Sequence, residues 1–366
     1  MPLIEVERRD SFDFLSAEYF DLFSRSTATA FQHPLWLQNV CTGLVEPSGA
    51  RPFIITGRRR HDGRLLFVIP MMRRRYAGFT LVDAPDLGVS DYNCVVIDRD
   101  FAAALPVDET VRAQVQAAIG GLTLARMRKV RADALAEAKL LGRAYNPMNF
   151  HAHQMRLQVP AADWRLRSYD PHFRRYLEGK TKRLSKKGLI RLEELEDRTR
   201  IRHAFELMRS FRKGRWKTDL LNDRIYFEFY VNIASTGCAS KLSRTYLLSV
   251  GEKPVAALFG LAHDKRFMFL LLGFTPEDFR NHSLGLILLD RTIEDCIGRG
   301  DTIFDLTIGD EMYKRDFASE TIPIVTVWGG NGLMARLAHV AMALKRRLSP
   351  RPRPAPARGE RTFAQA

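Results

Sequence analysis

Long apolar runs are what this 366-residue chain most plainly lacks. No stretch approaches the ~18 uninterrupted apolar residues of a membrane-spanning helix. The opening residues, Met1 to Asp10, mix acids with arginines and hold none of the apolar core of a secretory leader. The expectation is a soluble, cytoplasmic protein. Cysteine is also scarce: Cys41, Cys94, Cys238 and Cys296 are scattered, with no C-x-x-C pair and no histidine at ligand spacing. Neither a disulfide framework nor a zinc site is supported, so buried thiols and no metal are expected. A G-x-S-x-G elbow, a P-loop and a G-x-G-x-x-G turn are missing too, which removes the hydrolase, ATPase and dinucleotide-binding readings.

Acidic residues are outnumbered, 42 against 57 basic ones, and the net charge is +15. The excess is local. Lys345 to Ala366 holds seven Lys/Arg against one acid, and Arg165 to Arg191 holds ten against two. Clusters of this kind meet phosphates of a cofactor, a tRNA or a lipid surface; a solvated face plus a disordered tail accounts for them equally well.

What is present is ample core material, 46% hydrophobic residues in a chain about two average domains long. In the first half the pattern predicts a helix from Pro34, strands over 51–57, 64–71 and 80–83 around the turn His61-Asp62-Gly63, a helix over 107–120, a strand over 121–130 and a helix over 132–141. The second half repeats the order. Helices are predicted over 173–188, 198–214 and 223–234, strands over 242–250, 255–262 and 266–273, a helix over 284–297 and a short strand over 302–306. Ala204, Phe205, Met208 and Phe211 give the second of these helices its apolar stripe. Each half also carries Gly-Phe after its third strand, at Gly78-Phe79 and Gly273-Phe274. Internal duplication and chance similarity of two meanders explain this equally well. Residues 333–348 read as an amphipathic basic helix and 349–366 as a disordered Pro/Ala/Arg-rich tail.

The chemistry concentrates between Phe267 and Phe317. A strand ends at Gly273, a loop carries Arg280, Asn281, His282 and Ser283, and a helix begins at Leu284-Gly285. Backbone N–H groups at a helix start beside an arginine suit a phosphate, while a simple N-cap at Ser283 is the plainer account. Farther on come Phe304-Asp305-Leu306 and then Gly309-Asp310-Glu311-Met312-Tyr313-Lys314. His151 and His153 fall on one side of a strand with no third ligand in view, so structural or surface roles are expected of them. The run Phe211 to Lys217 reads as a helix end and solvated turn, or as a platform for a base or sugar ring.

Arg280-x-x-Ser283-x-Gly285 resembles the acetyl-CoA pyrophosphate loop of GNAT acyltransferases, with serine where that family usually has glycine. The stretch from Gly300 through Phe304-Asp305 and Gly309-x-Glu311-x-Tyr313-Lys314 resembles the CelD-like branch, linked to cellulose and exopolysaccharide biosynthesis in bacteria. Phe31-Gln32-x-Pro34-x-Trp36 is similar to the start of those proteins. A Tyr/Phe-Lys element also occurs in Fem-type peptidoglycan aminoacyltransferases, and both families place a basic helix like Lys182 to Gly188 ahead of their second domain.

The resemblance implies an α/β (α+β) fold of tandem GNAT-like domains, each a mixed, mostly antiparallel sheet flanked by helices. The domains would be residues 1–160, a catalytic 161–332, and the tail 333–366. It implies acetyl-CoA or another acyl-CoA as donor, held by Arg280, Asn281, Ser283, Leu284 and Gly285 and by the strand residues Leu271 and Gly273. Glu311 would take the acceptor's proton, Tyr313 would protonate the thiolate, Lys314 would hold negative charge, and Asp305 would belong to the same catalytic set. The acceptor would be a small molecule or saccharide bearing an amine or hydroxyl. Two rivals are a Fem-type transferase using aminoacyl-tRNA and a noncatalytic GNAT-fold partner of a polysaccharide synthase, with the basic tail on anionic lipid at the inner membrane.

Overall fold

The computed structural model describes residues 4–76, 79–104, 109–120, 123–157, 163–214, 219–275, 279, 281–317 and 320–330. Arg280, Gly78, Arg215 to Lys217, the helix expected over 333–348 and the tail lie outside the described residues. The chain runs β1 (Ile4–Arg9), α1 (Ala17–Ser24), α2 (Pro34–Val40), β2 (Arg51–Arg59), β3 (Leu65–Tyr76), β4 (Phe79–Asp83), β5 (Val96–Ile97), α3 (Arg99–Ala104), α4 (Glu109–Ile119), β6 (Leu124–Arg131), α5 (Leu135–Ala138) and β7 (Ala144–Arg156). It continues through α6 (Trp164–Ser168), α7 (Pro171–Ser185), β8 (Ile190–Glu194), α8 (Arg198–Arg212), α9 (Arg224–Ala239), β9 (Ser243–Val250), β10 (Lys253–His263), β11 (Arg266–Phe274), α10 (Leu284–Gly298), β12 (Ile303–Ile308), α11 (Met312–Asp316) and β13 (Glu320–Gly329).

Local chemistry sets many of these boundaries. Asp170, Asp197 and Asp223 cap α7, α8 and α9, each carboxylate accepting backbone N–H groups that the first turn leaves unpaired. Pro171 and Pro34 take the first helical position of α7 and α2, where a missing N–H costs nothing. Between β10 and β11, Asp264 and Lys265 both have positive φ, 49° and 56°, and His263 faces Arg266 across the turn. That is the pattern of a two-residue I′ hairpin, whose twist matches the strands it joins.

Contacts gather the described chain into two compact units, one from residues 1–28, 45–148 and 325–366 and one from 29–44 and 149–324. The stretch Phe31 to Trp36 packs in the second. There Trp36 meets Phe229 of α9 edge-on, 5.3 Å between centroids, and the Asn39 and Asn232 side chains hydrogen-bond at 2.6 Å.

Each unit repeats one strand order. In the first, β1, β2, β3 and β4 pair antiparallel in turn and β6 joins β4 in parallel. In the second, β8, β9, β10 and β11 pair antiparallel and β12 joins β11 in parallel, with residues 152–156 of β7 antiparallel on its far side. Alternation along β10 covers both faces of this sheet. Leu258 joins the core under α7 and α10, whereas its neighbour Phe259 meets Phe205 of α8 and Tyr230 of α9. Phe259 is fully buried, and burial of a side chain its size stabilises by about 1.5–3 kcal/mol.

The sequence pattern departs from the structure at a few elements. The helix expected over 132–141 is a 3-10 turn at Ala132–Ala134 followed by the single turn α5. The helix expected over 223–234 runs on to Ala239, because Gly237 lets it lie against Ser243, where an added Cβ would come within 2.8 Å of Oγ. β1, β8 and β13 were not anticipated.

Candidate active site

In the second unit β11 and β12 pair in parallel over three positions only, Arg266 with Ile303, Phe267 with Phe304 and Met268 with Asp305. Beyond that point β11 continues to Phe274 and β12 to Ile308, and no further ladder joins them among the described residues. The separation has a local cause. The Asp305 carboxylate, fully buried, accepts from Arg266 Nη1 at 2.9 Å and from the Thr307 backbone N–H at 2.9 Å. This folds Leu306 into a bulge against β7, where the register slips, and leaves Thr307 at φ 57°. Thr307 Oγ1 then donates to the Phe269 carbonyl at 3.1 Å. Farther along, Arg212 at the end of α8 donates Nη1 to the Leu272 carbonyl at 2.8 Å and Nε to Asp219 at 2.7 Å. Leu271 is half-buried on this stretch, and Gly273 lies under α8, where an added Cβ would come 2.9 Å from the Met208 carbonyl.

The start of α10 stands beside the same strand end, Gly285 lying under the Phe274 and Leu272 side chains. Ser283 precedes it in the left-handed region, φ 54° and ψ 48°, and its side chain makes no cap bond to the helix. Oγ instead shares a hydrogen bond with the Tyr176 hydroxyl of α7 at 2.9 Å. The next turn of α7 brings Lys180, whose Nζ donates to the Asn281 carbonyl at 2.6 Å and lies 5.1 Å from the Tyr176 ring centre. His282 is buried, and neither ring nitrogen has a hydrogen-bond partner among the described residues. Asn281, Ser283, Leu284 and Gly285 thus lie together, with Leu271 and Gly273 on the adjoining strand, while Arg280 is outside the described residues.

Glu311, Tyr313 and Lys314 follow the end of β12 together, whereas the Asp305 carboxylate is tied to Arg266 and Thr307. Lys314 is 2% exposed, and its Nζ donates to the carbonyls of Ile308 at 2.6 Å and Thr307 at 3.4 Å and pairs with Glu311 at 3.0 Å. The chain turns back at Gly309, φ 113°, where a Cβ would meet the Glu311 carboxylate at 2.5 Å. Glu311 remains exposed. Tyr313 is half-buried against the core, and burial, followed by the Glu311 charge, pushes its phenol well above the ordinary value.

One cluster escaped the pattern reading. His153 Nε2 and His151 Nδ1, both on β7, approach Asp310 Oδ1 at 2.8 and 3.2 Å. Burial raises the Asp310 carboxyl, but the two imidazole hydrogen bonds outweigh it and the group falls below its usual range. Spacing of two along a strand gave the histidines a shared face. Their partner lies more than 150 residues away, beside Glu311, and nothing local announces it. Among the described residues no group of three His, Cys, Asp or Glu side chains has the geometry to hold a metal ion, and no helix is long and apolar enough to cross a membrane.

Residues 171–315 match the family model described as an acetyltransferase (GNAT) domain. No curated protein sequence matches the chain. Among solved structures, FemX superposes with a TM-score of 0.62 at 12% identity, covering 93% of this chain and 99% of that one. The C-terminal domain of a putative lysylphosphatidylglycerol synthetase from Agrobacterium fabrum gives 0.53 at 13% identity, covering 90% and 95%. L-PGS from Bacillus licheniformis gives 0.53 at 11%, covering 92% and 97%. At these identities the likeness is one of fold, a GNAT-like one.

Proposed function

We propose that the chain is an acyltransferase that moves an acyl group from acyl-CoA to an amine or hydroxyl of an acceptor from the cell envelope or an exopolysaccharide pathway. The observation that carries this is the parting of β11 and β12 beyond Met268 and Asp305, next to a helix start that Ser283 leaves uncapped. A strand edge without a ladder offers N–H and C=O groups to an extended amide-bearing arm, and a helix N-terminus offers N–H groups and a positive field to its phosphates. The acyl carbonyl would lie at the end of β12. Glu311, or His151 oriented by Asp310, takes the proton from the acceptor, and Tyr313, kept protonated by its surroundings, returns one to the departing thiolate. Lys314 fixes the turn that presents Glu311.

A second reading has one specific observation in its favour. The Fem-type use of aminoacyl-tRNA fits a donor loop overlaid by the basic helix α7, with Lys180 on Asn281. Thermal stability with and without acetyl-CoA, longer acyl-CoAs and CoA separates the two readings. A ligand at 100 times its Kd adds about 2.7 kcal/mol. A rise with acyl-CoA that is lost when Arg280 becomes alanine supports the first. No rise with any CoA, together with aminoacyl-tRNA binding that weakens steeply with salt, replaces it with the second.

A further inference from the structure

Serine usually opens a helix in an extended backbone and turns its Oγ onto the N–H groups of the first turn, which have no partner inside the helix. Ser283 does neither. It precedes α10 at φ 54° and ψ 48°, and its side chain makes no cap bond. A left-handed backbone is disfavoured about five- to thirtyfold in a residue that carries a Cβ, so Ser283 has to be held there by its surroundings.

The holding group is on α7. The Tyr176 hydroxyl and Ser283 Oγ share a hydrogen bond of 2.9 Å, and a bond of this kind is worth about two- to twelvefold in a conformational equilibrium. The two magnitudes overlap, so the bond is large enough to decide which backbone Ser283 adopts. Tyr176 is a firm anchor: its ring packs against the core of the second unit, and Phe173 and Leu177 on the same helix are buried. One turn farther along, Lys180 Nζ donates to the Asn281 carbonyl at 2.6 Å. Between these ties His282 is buried edge-on to Phe279, 5.7 Å between centroids, and its backbone N–H donates to the Phe279 carbonyl at 2.9 Å. Three consecutive residues are thus fastened, and of the three only Ser283 has a positive φ.

We infer that Tyr176 is a positioning residue for the acyl donor: by holding the Ser283 hydroxyl it keeps that group off the first turn of α10 and leaves the N–H groups there for the donor's phosphates. Without the tie, Ser283 relaxes toward the extended backbone of an ordinary cap, and its Oγ competes with the donor for the same N–H groups. Glycine at 283 needs no tie, since it has neither a Cβ to strain nor a hydroxyl to compete. The tyrosine and the serine are therefore a matched pair. The inference rests on the acyl-CoA reading of this loop.

The test is a double-mutant cycle in the full chain, with wild type, Y176F, S283G and the two changes combined. Calorimetry gives the Kd of CoA and of acetyl-CoA for each, and circular dichroism checks the fold. Y176F should weaken both ligands alike, about three- to tenfold, because they share the same phosphates. Introduced into S283G, it should move Kd by less than about twofold, the scatter of independent sites. An unchanged Kd in Y176F overturns the inference. So does an equal loss in both backgrounds, which would mean that the tyrosine touches the donor or supports the fold at large. If Y176F does not fold, S283A puts the question from the other end of the bond. Alanine lacks the hydroxyl but keeps the Cβ, so donor affinity should lie about threefold or more below that of S283G, and equal affinities of S283A and S283G overturn the inference. A wild type that binds neither CoA nor acetyl-CoA removes the acyl-CoA reading and this inference with it, whereas donor binding without coupling between positions 176 and 283 removes the inference alone.

Discussion

Both units bring a fourth strand alongside a parallel partner for three residue pairs, and they part company at the next residue. In the first unit the pairs are Leu81 with Leu124, Val82 with Ala125 and Asp83 with Arg126. The chain then closes over the gap: Ala84 donates its N–H to the Arg126 carbonyl, Asn93 donates its backbone and side-chain N–H groups to the carbonyls of Lys129 and Arg128, and Lys129 reaches the Ser90 carbonyl. In the second unit the Thr307 hydroxyl reaches across the equivalent gap to the Phe269 carbonyl, while Arg212 holds the Leu272 carbonyl from α8. A buried aspartate marks the last pair each time, Asp83 on β4 and Asp305 on β12. One topology therefore has two outcomes, a junction sealed by its own loop and a junction without such a seal, and the proposed donor site lies at the second.

The largest effects should come from the two aspartates. Asp305→Ala leaves the Arg266 charge with the neutral Gln154 amide in place of its carboxylate and releases the bulge, and should cost about 3 kcal/mol, the lower end for breaking a buried pair, together with loss of acyl-CoA binding. Asp83→Ala strands Arg126, which is partly exposed, and should cost about 2 kcal/mol while acyl-CoA affinity stays as in the wild type. Urea unfolding and donor titration of both variants check this; a drop in donor affinity from the Asp83 change would end the distinction between the junctions. Next, Lys314→Met removes the donor to the Ile308 and Thr307 carbonyls and should destabilise by about 1–3 kcal/mol, with thiol release from acyl-CoA falling more than binding does.

Acid should weaken the second unit through His33. Burial, then the nearby His263, brings its imidazole down to about 4 from an ordinary 6.5. The unfolded chain therefore binds the extra proton between those values, so this contribution is complete above pH 6.5 and is lost as pH falls toward 4. His33→Asn keeps a capping acceptor for the Leu35 N–H and should flatten the fall in Tm across that window; an unchanged profile would show that another group controls it. The smallest effect concerns Ser283. Glycine there relieves a left-handed backbone, worth about 1–2 kcal/mol, but forfeits the bond to Tyr176, worth about 0.5–1.5. Stability should move by less than about 1 kcal/mol, with acyl-CoA affinity held or improved. A large loss of affinity would mean that the hydroxyl itself serves the donor.

The run from β9 to β12 was readable because its strands are bounded by local signals, such as Gly251 before β10 or Asp264-Lys265 before β11, and because α10 and β12 have clear apolar periods. β13 and the first half of β7 were not, since Pro323 and Pro147 interrupt patterns that only tertiary pairing completes. The neighbourhood of Glu311, Tyr313 and Lys314 could be read from a motif confined to a few residues. The ties that give it shape, Arg266 to Asp305 and His151 and His153 to Asp310, join positions far apart and leave no periodic trace.

A primary amine next to an activated thioester is itself an acceptor, and an enzyme of this kind risks acylating its own lysine. Here the Lys314 amine lies within 3.4 Å of three oxygens, on Ile308, Thr307 and Glu311, behind a surface that leaves 2% of the side chain accessible. On the proposed function, the unit thereby keeps a positive charge beside the reacting thioester without offering a nucleophile of its own.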